Sequence, residues 1–376
     1  MPPSSNTTNS RSENNKRNSL LQALHRKGNA SRLQLARTLD ISNSRVCDLI
    51  EEMVGEGLLL EQNVNGDRRG RRGVAVRLNP DHGHILGFDM EAKRLRLVVT
   101  DFAGQIVWQT RRPLKPMKDR EALVDELRSF LSTSMRELRP QYKHLLGIGI
   151  AASGVTDTQQ GVILHYDLVP HAMNLPLRDL IAEHLNMPAV MENNIRAMTL
   201  AEWTSGAAKG LHSFVCMAVR SGVGAGIVVN DRLLAGSHGF SGEIGYMVLP
   251  TAASSQHWKN LQSSVSESAL SIDAESPDKI PDAVAKRAGE LIGSQIASIA
   301  AVLDPEAFVL AGGMLNPDGP VWLHAVSAFR QTALAELVER VRILPAQLGP
   351  FAAAAGAAHR CLYELFPIAT PTNGNH

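Results

Sequence analysis

The sequence predicts an α/β body of two related lobes, preceded by a small basic module of helices and a hairpin. Two observations carry that prediction. From residue 84 onward, strand-like triplets are followed by helix-like runs, and the pattern occurs twice. Charge is also divided: residues 1–80 hold 13 Lys+Arg against 8 Asp+Glu, a net of +5, and the remainder carries 25 against 29. The 376-residue chain sums to only +1, which argues against a uniformly basic coat for nucleic acid. It conceals an anion-seeking end joined to an acidic body.

The length suggests two or three domains, with enough chain for substantial cores. Cys47, Cys216 and Cys361 lie too far apart for a CxxC pair, so neither a disulfide framework nor a zinc cluster is expected. The polar start lacks the apolar core of a signal peptide, and no window approaches ~18 uninterrupted apolar residues. A cytoplasmic protein with no membrane partner is expected.

Residues 1–17, rich in Ser, Asn, Thr and Pro, read as a disordered tail. From Ser19, Leu20, Leu21 and Leu24 recur at helical spacing until Gly28. Ser31 fits an N-cap for a short helix that turns Leu33, Leu35, Ala36 and Leu39 inward. Ser42 caps the next helix, whose stripe is Val46, Leu49, Ile50 and Met53. Two short helices joined by a tight turn after a supporting helix make a helix-turn-helix. The N-terminal residues of its second helix, Ser42, Asn43, Ser44 and Arg45 with Asp48, are polar groups suited to base edges in the major groove. Two strands then flank NGDRRGRRG, a wing whose tip gathers Arg68, Arg69, Arg71 and Arg72. Arginines among glycines suit phosphates or a narrow minor groove. Residues 18–79 thus read as a winged-helix domain whose partner is double-stranded DNA.

In the body, HILGFDM, RLRLVVTD and QIVWQTRRPL read as strands, and residues 119–138 as an amphipathic helix. HLLGIGIAAS is a buried strand entering a glycine loop. RDLIAEHLN, PAVMEN and IRAMTLAEWTSG follow as helix, strand and helix. SFVCMAVRSGVGAGIVVNDRLL gives two strands about a glycine-rich turn, then come a long helix at 281–303, the strand EAFVLAGGML and the C-terminal PFAAAAGAAHRCLYEL. Two such lobes leave a cleft between them.

The order of motifs resembles the ROK family (repressor, open reading frame, kinase). The matching segments are GFD at 87–89, TDFAGQIV at 100–107, GIGIAASGV at 147–155, MENN at 191–194, SGVGAGIVVNDRLLAGSHGFSGEIGY at 221–246 and LDPEAFVLAGGML at 303–315. The resemblance implies an actin-like body at about 84–366, with a sugar held between two RNase H-like lobes. It places lobe one at about 84–196 plus the C-terminal helix 350–366, and lobe two at about 197–345.

The same resemblance bears on catalysis. In the family's kinases the base is an Asp after the Glu-Asn pair; here Asn194 holds that position, and an amide cannot accept the proton. The first phosphate loop of the kinases has glycines, but Met90-Glu91-Ala92-Lys93 follows Asp89, and Arg220 stands where a glycine is usual in the second. Kinase activity is therefore expected to be lost, and no cofactor is expected. The carried-over sugar contacts are Asn193, Asn194, Glu243, Tyr246 and Gln262. Many relatives hold a structural zinc with a His and three Cys. Here Tyr246 replaces the His and TAASSQHWKNLQSS replaces the cysteines, so no metal is expected.

The resulting expectation is a regulator, a repressor of carbohydrate genes with a small carbohydrate effector, working as a homodimer or homotetramer. The alternatives are an ATP-dependent sugar kinase with a DNA-binding appendage, or a body serving only as a dimerisation scaffold.

Overall fold

A computed structural model describes residues 6–64, 73–249, 259–272 and 280–365. It opens with helix α1, Asn6–Lys27. The segment expected to be a disordered tail is therefore helical from Asn6 onward. Arg17 explains part of this: its guanidinium ion-pairs with Glu52 and Glu56 of a later helix, tying the polar half of α1 to the module.

Gly28 ends α1 with a φ of 78°, and β1 (Asn29–Ser31) leads into α2 (Arg32–Leu39). Ser31 caps α2 as expected and completes a capping box with Gln34. Leu35 and Ala36 are buried, but Leu33 is 48% exposed, contrary to expectation. At 100° per residue it lies about 200° round the helix from Leu35, on the opposite side. Helix α3 (Asn43–Gly55) is capped by Ser42 and buries Val46, Leu49, Ile50 and Met53. Strands β2 (Leu59–Val64) and β3 (Gly73–Leu78) pair antiparallel and complete a sheet in the order β1-β3-β2.

The first lobe is built on β4 (His84–Glu91), β5 (Arg94–Asp101) and β6 (Ile106–Pro113), an antiparallel meander. Helix α4 (Arg120–Leu138) crosses to β7 (Leu145–Ala152), parallel to β4. A small hairpin, β8 (Val155–Asp157) and β9 (Val162–His165), precedes α5 (Leu177–Leu185) and β10 (Ala189–Asn193). The sheet runs β10-β7-β4-β5-β6.

Helix α6 (Asn194–Ser205) leads into the second lobe. Its sheet begins with β11 (Phe214–Val219), β12 (Val223–Val229) and the short β13 (Arg232–Leu233). A two-stranded ribbon, β14 (Val248–Leu249) with β15 (Lys259–Asn260), is followed by short helices α7 (Gln262–Val265) and α8 (Glu267–Leu270). Then come α9 (Asp282–Leu303), β16 (Ala307–Ala311), α10 (Pro320–Thr332), α11 (Ala335–Arg340) and β17 (Arg342–Pro345). The order is β13-β12-β11-β16-β17. In both lobes the chain forms a three-strand meander and then adds two parallel strands on its far side, so the second repeats the first.

The C-terminal helix α12 (Ala352–Leu365) explains how the pieces join. Its AAAAGAA run brings backbone against backbone. A Cβ on Gly87 would sit 2.0 Å from the Ala354 carbonyl oxygen, and one on Gly149 would sit 1.8 Å from that of Ala357. On another face, a Cβ on Gly356 would meet the Ala197 carbonyl oxygen of α6 at 1.7 Å. Further along, Ala358, Cys361 and Leu362 share a core with Leu20, Leu24 and Ile50 of the N-terminal module. One helix thus touches the first sheet, the second lobe's leading helix and the module.

Gly149→Ala should therefore destabilise the protein by about 3 kcal/mol, since the contact is backbone and cannot rotate away. Denaturant unfolding followed by tryptophan fluorescence would measure it. A change below about 1 kcal/mol would mean that α12 can lift freely.

Candidate functional site

The cleft between the lobes is built where strand ends meet. Ser153 and Gly154 follow β7, His165 ends β9 and Tyr166–Leu168 follow it, Asn193 and Asn194 join β10 to α6, and Arg220–Gly222 form the turn into β12, whose Val223–Ala225 continue the wall. Glu243, Tyr246 and Gln262 close the far side. The cavity is about 80 Å³. At roughly 10–15 Å³ per water position, that is space for a handful of waters, which a small polyol could displace. All five residues carried over as sugar contacts line this one cavity.

Each is held differently. Asn193 caps α6, its Oδ1 accepting from the N–H groups of Ile195 and Arg196 at 2.9 and 3.2 Å. That oxygen is engaged in ordering the helix. Asn194 Nδ2 donates to Ser153 Oγ at 2.8 Å. Gln262 Oε1 accepts from Val223 N–H at 3.2 Å, so its carbonyl steadies the glycine turn while its amide retains donors. Burial pushes the Glu243 carboxyl up from its usual range, against the opposing pull of Arg196. Tyr246 is 49% exposed, at the rim rather than the floor.

The loop carrying Glu243 depends on Gly242. Its φ is 90°, its carbonyl accepts from Ala225 N–H at 2.8 Å, and a Cβ there would lie 1.8 Å from the Ala225 carbonyl oxygen. Arg196 ties the same region together, pairing with Glu192 at 2.7 Å and donating to the Gly239 carbonyl at 2.6 Å. Sequence reasoning left out Arg196 and Tyr166. The buried phenol of Tyr166 lines the cavity and is held protonated by desolvation and the nearby Glu91. An arginine two residues after MENN was the one available signal.

Beside this cavity, the segment after Asp89 is closed by ion pairs. Arg96 Nη1 donates to Asp89 Oδ2 and to Glu91 Oε2, both at 2.8 Å. Arg220 Nη2 reaches Glu91 Oε2 at 2.7 Å, and Ser221 Oγ reaches Oε1 at 3.2 Å. Burial would raise Glu91, but Arg220 and Arg96 outweigh it and hold the carboxyl below its ordinary range. For Asp89, which is fully buried, desolvation wins over Arg96 and the carboxyl rises. The Glu91–Arg220 pair joins the first sheet to the second. Glu91 and Arg220, both singled out as departures at the phosphate loops, are thus each other's partners.

At the other end of the chain, Ser42, Asn43 and Ser44 are exposed at the start of α3, and Arg45 lies 3.9 Å from Asp48. Ser42 Oγ accepts from Arg45 N–H at 3.3 Å. Arg68, Arg69, Arg71 and Arg72 lie outside the described residues, as does residue 257 in the 250–258 stretch.

Two five-stranded lobes of repeated order, with a polar cleft between them and α6 and α12 packed at their junction, define an actin-like α/β protein. The chain belongs to the ROK family, whose model matches residues 85–256 and 251–362. It is 28% identical over 221 residues to the xylose repressor of Caldicellulosiruptor bescii, a match covering 58% of this chain and 55% of that protein. The chain thus spans just over half the length of that relative. It is 23% identical over 325 residues to the DNA-binding transcriptional dual regulator NagC of Escherichia coli K12, covering 77% and 78%.

Among solved structures, a ROK family transcriptional regulator, a homologue of the E. coli MLC protein, superposes with a TM-score of 0.77 at 19% identity. That match covers 94% of this chain and 97% of the other. A ROK glucokinase from Streptomyces griseus, in complex with glucose and AMPPNP, superposes at 0.64 and 21% identity, covering 74% and 99%. At such identities these likenesses concern the fold. Among the described residues no helix is long and apolar enough to cross a membrane.

Proposed function

We propose that this chain is a DNA-binding transcriptional regulator, a repressor of carbohydrate genes, that senses a sugar or sugar derivative in the interlobe cleft and has no kinase activity. The observation that carries the reading is the pairing of two features in one chain. A capped helix presents exposed Asn43 and Ser44 at its start, and a cleft brings Asn193, Asn194, Glu243, Tyr246 and Gln262 together. Amides, a carboxylate and a phenol match vicinal hydroxyls as donors and acceptors. The relatives named as repressors support the same reading.

Residues 18–79 serve as the winged helix. The start of α3 enters the major groove, while the arginine tip of the wing meets phosphates or the minor groove. The protein works as a homodimer or homotetramer, so that lobe closure on a ligand resets the spacing of two DNA-reading helices. Loss of catalysis follows from Asn194 in place of a base and from the Glu91–Arg96–Arg220 ion pairs across the phosphate-loop region.

Fluorescence anisotropy on operator fragments recovered by in vivo mapping tests this reading. One sugar of a panel should weaken DNA binding at least ~10-fold, and Glu243→Gln should remove the response. Binding indifferent to every sugar would sink the sensing role. Incubation with ATP and a hexose panel should release no ADP above background. Turnover abolished by Asn194→Ala would establish the kinase instead.

Replacing Arg71 and Arg72 with alanine should weaken DNA binding and lower the salt slope by about 2, since each lost phosphate contact removes ~0.9. An unchanged affinity and slope would make these arginines mere surface.

A further inference from the structure

A separate cavity of about 260 Å³ lies where the N-terminal module meets both lobes, and it shares no lining residue with the interlobe cleft. Arg77 and the buried Leu24 and Leu78 come from the module. Ala103 comes from the β5–β6 turn, Lys209 from the turn after α6, and Leu348 from the approach to α12. Lys209 is set in place by its own N–H, which donates to the Gly206 carbonyl at 3.1 Å. Ala103 and Leu348, both half-buried, give the space an apolar wall. At roughly 10–15 Å³ per water position it holds about twenty waters, enough for a small organic molecule.

The charge of this cavity is one-sided. Arg77 and Lys209 line it, and among the described residues no Asp or Glu does. Neither cation has an ion-pair partner among the described residues. Helices α1 and α6 both end here, at Lys27 and Ser205, and each C-terminus supplies roughly half a negative charge. Two full positive charges against two halves leave a surplus of about one. His25, only 6% exposed, forms part of the wall. Its Nδ1 is engaged by the Tyr363 hydroxyl, and its Nε2 is buried with no hydrogen-bond partner among the described residues. A buried polar atom left unmet is costly, so a polar group settling nearby is favoured.

We propose that this junction cavity binds a small amphiphilic monoanion, a carboxylate on an apolar body. The acid group lies between Arg77 and Lys209, and the body lies against Ala103 and Leu348. One negative charge matches the surplus, and guanidinium and ammonium groups bind carboxylate oxygens by charge-assisted hydrogen bonds. Such a ligand touches the module and both lobes at once, so it holds the module at one angle to the body. It is a second input, independent of the sugar cleft; only its consequence for DNA rests on the proposed DNA-binding reading.

Isothermal titration of the full chain with benzoate and with hexanoate, at low salt and against matched sodium chloride, tests the proposal. At least one should bind saturably, and benzamide, the neutral counterpart of benzoate, should bind at least ~10-fold more weakly than the better acid. The Arg77→Ala, Lys209→Ala double variant should lose at least ~10-fold in affinity. Ser205→Glu, at an exposed position lining the cavity, should also weaken binding by adding a competing carboxylate. The bound acid should slow hydrogen exchange of the amides at 20–28, because it ties that end of α1 to the body. Glu243→Gln, in the sugar cleft, should leave acid binding intact. Saturable binding by neither acid, equal binding of benzamide, indifference to the double variant, or unchanged exchange at 20–28 would overturn the proposal. If an acid binds but no sugar affects DNA, the sugar-sensing reading fails alone. If a sugar acts but no acid binds, this inference fails alone.

Discussion

Arg96→Met should destabilise the protein by roughly 3–5 kcal/mol at neutral pH, the range for removing one member of a buried ion pair. Arg96 is 3% exposed and holds Asp89, which is fully buried, together with Glu91. Its loss leaves Asp89 with no other ion pair among the described residues, while Glu91 retains Arg220. The pH dependence follows from the direction of the shift. The Asp89 carboxyl already lies above its ordinary value. Without Arg96 it rises further, so the folded state takes up a proton before the unfolded chain does. The deficit should therefore shrink as pH falls from 7 toward 5. Adding Asp89→Asn should recover part of the loss at pH 7, because a neutral amide avoids the buried charge. Denaturant melts of the single and double variants across pH would check this. A deficit that is flat with pH would mean lost packing, not stranded charge.

Acid should release the N-terminal module from the body before the lobes themselves unfold. His25 of α1 and His359 of α12 are both buried, with ring centroids 4.6 Å apart. His25 Nδ1 lies 2.9 Å from the Tyr363 hydroxyl, and His359 Nε2 lies 3.1 Å from the Gly104 carbonyl oxygen. Desolvation lowers His359 to about 4 and, with the neighbouring His359 and Arg26, holds His25 well below its ordinary value.

The unfolded or undocked chain binds protons near pH 6.5, whereas the docked form does not until far lower. Stability is thus full above about 6.5 and falls as pH drops toward 4. For His359 alone the shift corresponds to about 3 kcal/mol at the acid end. His25 adds to it in the same direction. Limited proteolysis near residues 79–84 at pH 7 and pH 5 would detect the release. On the proposed DNA-binding reading, operator affinity should be lost over the same range. His359→Asn should flatten the profile, and an unaltered profile in that variant would remove the histidines as the cause.

The module's local structure was legible because it rests on local rules. Ser31 and Ser42 cap helices, the α3 stripe repeats every three to four residues, and the two expected hairpin strands pair antiparallel. The polar start of α1 was misread because its helix is fixed by Arg17 reaching Glu52 and Glu56, dozens of residues away. Helix α10 left no reading either. Its partner surface on α9 is made by Gly289 and Gly293, whose Cβ positions would strike the Val321 and Ala325 carbonyl oxygens. A glycine inside a helix looks like a weakness in sequence and becomes a contact surface only after packing.

The candidate sites divide in the same way. The resemblance carried by MENN and GEIGY pointed to a polar cleft, with Asn194 where it implies a catalytic Asp and Glu91 where it implies phosphate-loop glycines. Only the tertiary structure decided that Glu91 and Arg220 face each other across the lobes, 129 positions apart. It alone brought Arg77 and Lys209 to one cavity, and seated His25 against His359. The reason is physical. Periodicity, capping and backbone freedom act over a few residues and are written in the chain. Charge balance and desolvation depend on which distant groups share a small volume, and that is settled only when the sheets, α6 and α12 have packed.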